Sequence, residues 1–248
     1  MMRQPQQMQT QFRQPPVTTS VLVLIAILFV GWLAPVLLPE LRTLVADKLV
    51  LDATTAPSLE LWAVGTYALF PYDFFSVAIS GFLLYLFGGE LEGRWGATKW
   101  WVTVLLSVLV AGILAMLVMW PLGLAGLEMR PIRGATAITG AFVGAYCWYV
   151  WTQRMFIFSL EVTGKNLLMF FLAFDAIIAL LTLNPAHLVV DLAGIGVGLL
   201  MAQGRIPTGN LIKQLQYWRI KRRLRVISRT PESDVREGRR REDGTWIN

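Results

Sequence analysis

Six apolar runs separated by short polar stretches set the pattern of this chain. They cover Ser20–Leu38, about Phe70–Gly88, Trp100–Leu122, Ala135–Trp151, Asn166–Leu183 and Ala186–Gln203. Runs of roughly 18 residues or more match the hydrocarbon thickness of a bilayer. In lipid, a lone apolar segment satisfies its own backbone only as a helix. The pattern therefore predicts an all-α membrane protein, a six-transmembrane-helix bundle. The second run is the least regular, because it opens on Pro71 and Asp73. The loop after the first run, PELRTLVADKLVLDATTAPSLE, keeps enough Leu and Val to lie along the membrane surface.

Composition narrows the class. Of 248 residues, 55% are hydrophobic and 15% charged, and the mean hydropathy is +0.55. That balance excludes a soluble globular domain. Residues 1–19 are rich in Gln and Pro, as in RQPQQMQTQFRQPP. They predict a disordered tail rather than a signal peptide, because the following apolar run is too long and lacks a cleavage site. Residues 20–204 make the membrane domain. Residues 205–248 make a basic tail, partly helical and then disordered.

Charge sets the expected orientation. Eighteen of the 22 Lys and Arg fall on the side of the two tails, and the other four are Arg42, Lys48, Arg130 and Arg133. Positive residues favour the cytoplasm, so both termini are expected there, with the long tail supplying most of the asymmetry. The stretch LIKQLQYWRIKRRLRV reads either as this signal carried on a solvated helix or as an interfacial helix on anionic lipid. Its apolar residues do not fall on one clean face. The net charge of +6 is unevenly spread, and no nucleic-acid partner is expected. Cys147 is the single cysteine, so the chain can form neither an internal disulfide nor a cysteine metal site. No metal or cofactor is expected.

Several polar residues lie inside the apolar runs. Counted at about 1.5 Å per residue, Ser76, Thr136 and Asp191 reach comparable depth in the outer half of three different helices. Ser80 lies one turn further along from Ser76. Asp175 reads as a separate, deeper group near the midplane. A carboxylate in a bilayer must be paired, protonated or wet. The plainest reading of Asp191 and Asp175 is a protonated acid that fixes helix packing, and the sharper reading for Asp191 is a polar cavity. His187 reads as a solvated histidine at the outer interface. Glycines supply a second constellation. Gly140 and Gly144, and likewise Gly194 and Gly198, are spaced so that two helix backbones can approach closely. If those faces meet, Thr136 and Asp191 come within reach of one another.

These segments together resemble the rhomboid family of intramembrane serine proteases, over about residues 58 to 203. LELWAVGTYALF is similar to the segment entering the family's second core helix, with Trp62 kept. YLFGGELEGRWGATKW resembles the loop after that helix, with Glu92, Arg94 and Gly96 in place. GATAITGAFVGAY resembles the serine segment, with Gly134, Gly144 and Tyr146 agreeing, and VDLAGIGVGLL the last core helix, with Gly194 and Gly198. The resemblance implies a six-helix rhomboid-like bundle.

It also implies degenerate chemistry. The family's nucleophilic serine falls on Thr136 and the glycine after it on Ala137. The catalytic histidine falls on Asp191. The His and Asn that help hold the oxyanion fall on Ser76 and Ser80, and an outer-loop arginine falls on Ala63. A threonine nucleophile needs a base near its operating pH, and a buried acid is a poor one. The leading expectation is a pseudoprotease whose pocket of Ser76, Ser80, Thr136 and Asp191 binds transmembrane helices of client proteins. Two alternatives stay open: an active intramembrane peptidase with unusual residues, and a proton-relay transporter using Asp175, Asp191 and His187. The expected setting is a prokaryotic inner membrane, and the chain carries no Asn-x-Ser/Thr acceptor site.

Overall fold

The computed structural model describes residues 17–52, 60–126, 130–157, 160–182 and 184–206. The expected N-terminal tail up to residue 16, and the basic tail from residue 207 with its lipid-binding stretch, lie outside the described residues.

The described chain is mostly helical. Helices α1 (Thr19–Leu37), α2 (Pro39–Leu44), α3 (Ala63–Thr66), α4 (Phe74–Leu83), α5 (Gly89–Leu124), α6 (Thr136–Tyr149), α7 (Gly164–Thr182) and α8 (Pro185–Ala202) follow in order. Among the described residues, four helical runs are long and apolar enough to cross a membrane: Thr19–Leu37, Phe74–Leu124, Gly164–Thr182 and Pro185–Ala202. The second of these has 51 residues. Straight, it would reach about 75 Å, more than two hydrocarbon cores. It is not straight, because Gly96 breaks it at φ 76° and ψ 158°. Only glycine adopts that conformation without strain. Helix α6 has 14 residues, about 21 Å of rise.

Two sequence expectations need correction here. The stretch between the second and third apolar runs is helical on either side of the break at Gly96 rather than an open loop. A π-helical turn, Leu84–Gly88, joins α4 to α5, and the Trp100 indole N–H donates to the Gly88 carbonyl at 3.0 Å. The helix persists past the apolar run because its polar residues find partners: Glu90 pairs with Arg94 one turn on at 2.5 Å. The second correction is to the all-α reading. Strands β1 (Arg154–Ile157) and β2 (Leu160–Thr163) form an antiparallel hairpin before α7, with Arg154 opposite Thr163. Arg154 pairs diagonally with Glu161 at 3.1 Å.

The core sits between α5, α6 and α8, which pack on one another most extensively. Trp100 stacks on Phe142 with ring centroids 4.9 Å apart, and both are fully buried. Helix α1 leans on α4 and on the Tyr67–Leu69 turn, where a Cβ on Gly31 would collide with the Leu69 carbonyl oxygen. Gly112 of α5 lies against Val64 of α3 in the same way, its added Cβ only 2.7 Å from the Val64 carbonyl oxygen. The first loop packs on protein at its end: Leu51 is fully buried and bridges to Ile132 just ahead of α6. Outward faces of α1, α4, α5 and α7 carry exposed large apolar residues, among them Val30, Phe75, Leu105 and Leu181.

Candidate functional site

The entry to α6 is a shaped turn. Gly134 has φ +106°, a left-handed conformation that favours glycine, and its N–H donates to the Tyr67 carbonyl at 2.9 Å. Ala135 then caps α6 without any side-chain acceptor, and Thr136 is the first helical residue, half-buried. Thr139, one turn on, folds its hydroxyl back to the Thr136 carbonyl at 3.0 Å.

Helix α8 runs beside α6 with backbone touching backbone. A Cβ on Gly194 would collide with the Ala137 carbonyl oxygen, and one on Gly198 with that of Ala141. From the other side, a Cβ on Gly144 would come within 2.6 Å of the Ile195 carbonyl oxygen. Gly140 is looser, at 3.2 Å from the Asp191 carbonyl oxygen. Side chains larger than hydrogen would push the helices apart at three of the four positions. Ala137 is therefore level with Gly194, and Thr136 and Asp191 each lie within about one turn of that contact. Among the described residues, their side chains share no hydrogen bond.

Asp191 is nine-tenths buried and instead meets His187, one turn back on α8, with Nδ1 to Oδ2 at 3.0 Å. Its Oδ1 is buried and has no hydrogen-bond partner among the described residues. This corrects the reading of His187 as a solvated histidine: its side chain is 26% exposed and engaged. Asp175 of α7 is half-buried. Tyr67, fully buried, also feels Asp191 and donates its hydroxyl to the Val108 carbonyl at 3.3 Å. The i, i+4 spacing could have announced the His187–Asp191 pair, whereas nothing in the sequence pointed to Tyr67.

Ser76 and Ser80 stand on α4, which meets α6. Ser80 is buried, and the Ser76 N–H donates to Asp73 Oδ1 at 2.7 Å. That bond caps the start of α4. It also holds the Asp73 carboxyl, ahead of the span, below the usual carboxylate range. Nearby, Tyr72 lies under the Arg133 guanidinium at 4.2 Å and donates its hydroxyl to the Pro131 carbonyl. Trp62 is half-exposed and its indole N–H holds the Lys48 carbonyl at 2.8 Å, while Lys48 pairs with Glu60 at 2.7 Å.

The remaining motif residues gather at the opposite end of α6. Glu92 accepts from the Ser20 hydroxyl at 2.5 Å and thereby ties α5 to α1. Arg94 lies over the Tyr149 ring at 5.2 Å, and the Trp95 indole N–H donates to the Tyr149 hydroxyl at 2.7 Å. This cluster joins the last turn of α6 to the first turns of α5. Among the described residues, no group of three or more His, Cys, Asp or Glu side chains could hold a metal ion.

A family model described as the Rhomboid domain matches residues 58–207, well over half of the chain. The chain belongs to the rhomboid family. It is an integral membrane protein with the fold of the intramembrane proteases, and the matched rhomboid region takes in Trp62, the Glu92–Gly96 segment and the whole α6–α8 seam. No curated protein matches the chain.

Proposed function

We propose that this rhomboid-family protein binds the transmembrane segments of client proteins without cleaving them. The observation that carries the reading is the seam at Ala137 and Gly194. It brings Thr136 and Asp191 to one neighbourhood, with an acid where the family resemblance puts the catalytic histidine. The only imidazole of the chain, His187, is bonded through Nδ1 to that acid. A β-branched alcohol beside a buried carboxylate lacks both the base and the ready nucleophile that acyl transfer needs. In this reading Ser76, Ser80, Thr136 and Asp191 form a polar docking patch, while Gly140, Gly144, Gly194 and Gly198 hold the scaffold around it.

The same reading has the chain cross the membrane six times, with α4, α5 and α6 each making one crossing and both termini cytoplasmic. The break at Gly96 and the short α6 are consistent with this count. A prokaryotic inner membrane, and anionic lipid beside the basic tail, belong to the proposal as well.

One observation favours a second reading, an active peptidase. Asp191 holds His187 by Nδ1, as an orienting acid holds a general base, and leaves Nε2 available to a hydroxyl. The two are separated by incubating the full chain in proteoliposomes with a fluorescently tagged single-span helix. Silence, with the tagged helix still captured by chemical cross-linking, is expected. Product that disappears in Thr136→Ala or His187→Ala would overturn the proposal in favour of the peptidase. Reappearance of cleavage in Thr136→Ser with Asp191→His would sharpen the proposal by showing that these positions share a cavity.

A further inference from the structure

The turn between α7 and α8 is short, so depth on both helices counts from the same point. Asp175 and Asp191 each lie about two turns from it, at roughly 10 Å. Asp191 points inward from α8, with Oδ2 on His187 and Oδ1 buried without a partner among the described residues. Asp175 is half-buried on α7 at the same level. The imidazole pairs with Asp191 alone, and among the described residues no salt bridge reaches Asp175, so a charge on Asp175 is unbalanced. Inside a bilayer such a charge calls for a proton or a cation.

The surface around Asp175 is open to a neighbouring helix. Phe174 and Ile177 on either side are half-exposed, and Phe170, Leu180 and Leu181 continue the apolar face. We propose that Asp175 is the recognition point for a client transmembrane helix that carries a Lys or Arg about 10 Å from its membrane boundary. The inference rests on the client-binding reading and names the client's chemistry. The basic side chain reaches Asp175 across the α7 surface and takes the place of the missing counter-charge. Asp191 stays paired with His187 on α8. An all-apolar helix could still lie along the α7 face, but it would leave Asp175 to be neutralised by a proton.

The test uses the full chain in phosphatidylcholine vesicles with synthetic Leu/Ala single-span helices bearing a photo-cross-linker. One helix carries a single Lys at the matching depth, one carries Leu there, and one carries the Lys at the same distance from its other end. The matched Lys helix should be captured roughly tenfold better than the Leu helix, as expected for one charge pair formed in a membrane. Asp175→Asn should remove that advantage and leave capture of the Leu helix unchanged. Asp175→Lys should reverse the preference in favour of a helix bearing Asp, which a purely structural role of Asp175 would not do. Equal capture of the three helices would overturn this inference and leave client binding standing. Capture of none would overturn client binding itself, and this inference with it.

Discussion

The α6–α8 seam and helix α7 belong to one bundle but are built on opposite terms. In the seam, Gly194 and Gly198 rest on the carbonyls of Ala137 and Ala141, and most of α6 is buried. On α7 only Gly164, Leu167, Leu168 and Ala179 are buried, although the helix has 19 residues. Phe170 and Phe174 stack on each other and face outward. Lipid tails are as apolar as leucine, so burial alone does not drive helices together, and close backbone contact does. The seam therefore has one solution, because only hydrogen fits at its closest points. Helix α7 has few contacts that fix it, and it carries the acid that faces a half-open surface. Local stability follows contact density, which makes α7 readier than the seam to yield to a partner.

The largest expected effect comes from filling the seam. Gly198→Leu should cost roughly 3 kcal/mol or more, because the new side chain meets backbone that cannot move aside. Gly196 is on the same helix with open space around it, so Gly196→Ala should be neutral or gain up to about 1 kcal/mol. Denaturation midpoints of the purified protein in mild detergent, followed by tryptophan fluorescence, measure both. Equal losses in the two variants would break the comparison.

Of similar size is the contrast between two phenylalanines. Phe142 is buried against Trp100, and Phe142→Ala should cost about 3–5 kcal/mol. Phe174 of α7 is half-exposed, and Phe174→Ala should stay within about 0.5 kcal/mol. A comparable cost at Phe174 would mean that α7 is held as firmly as the seam. Hydrogen exchange gives a third, smaller contrast. Amides of α6 should exchange near the global unfolding rate, and those in the outer half of α7 faster, by about tenfold or more.

The smallest effect concerns neither helix and serves as their reference. Asp73 caps α4, and Asp73→Ala should cost about 1 kcal/mol. The folded carboxyl titrates below the usual aspartate value. Its ionic contribution is therefore complete above the ordinary aspartate pKa and is lost as pH falls through the lowered folded value. The stability difference between the natural chain and Asp73→Asn, which caps without titrating, should narrow as pH drops below about 4. A difference that stays constant over that window would show the cap to be uncharged.

Much of this was legible in the residues. The six apolar runs fall on helices within a few residues, and the two glycine pairs announced that two backbones could touch. Other features were not. The stretch from Gly89 to Trp95 has the polarity of a loop but is helical up to the break at Gly96, because Arg94 finds Glu90 and the Ser20 hydroxyl finds Glu92. The β1–β2 hairpin lay hidden in a segment too short for a periodicity to register.

The sequence by itself determined that this chain lives in a membrane, that it is helical there, and that small residues line two of its helices. Lipid leaves an apolar segment no other way to satisfy its backbone, and glycine spacing is a local property. Only the tertiary structure decided which distant polar groups meet: Ser20 with Glu92, Trp95 with Tyr149, Tyr67 with the Val108 carbonyl. Those pairings depend on how helices distant in sequence are levelled and rotated against one another, or on which rotamer a half-buried side chain takes, and no stretch of residues carries that information alone.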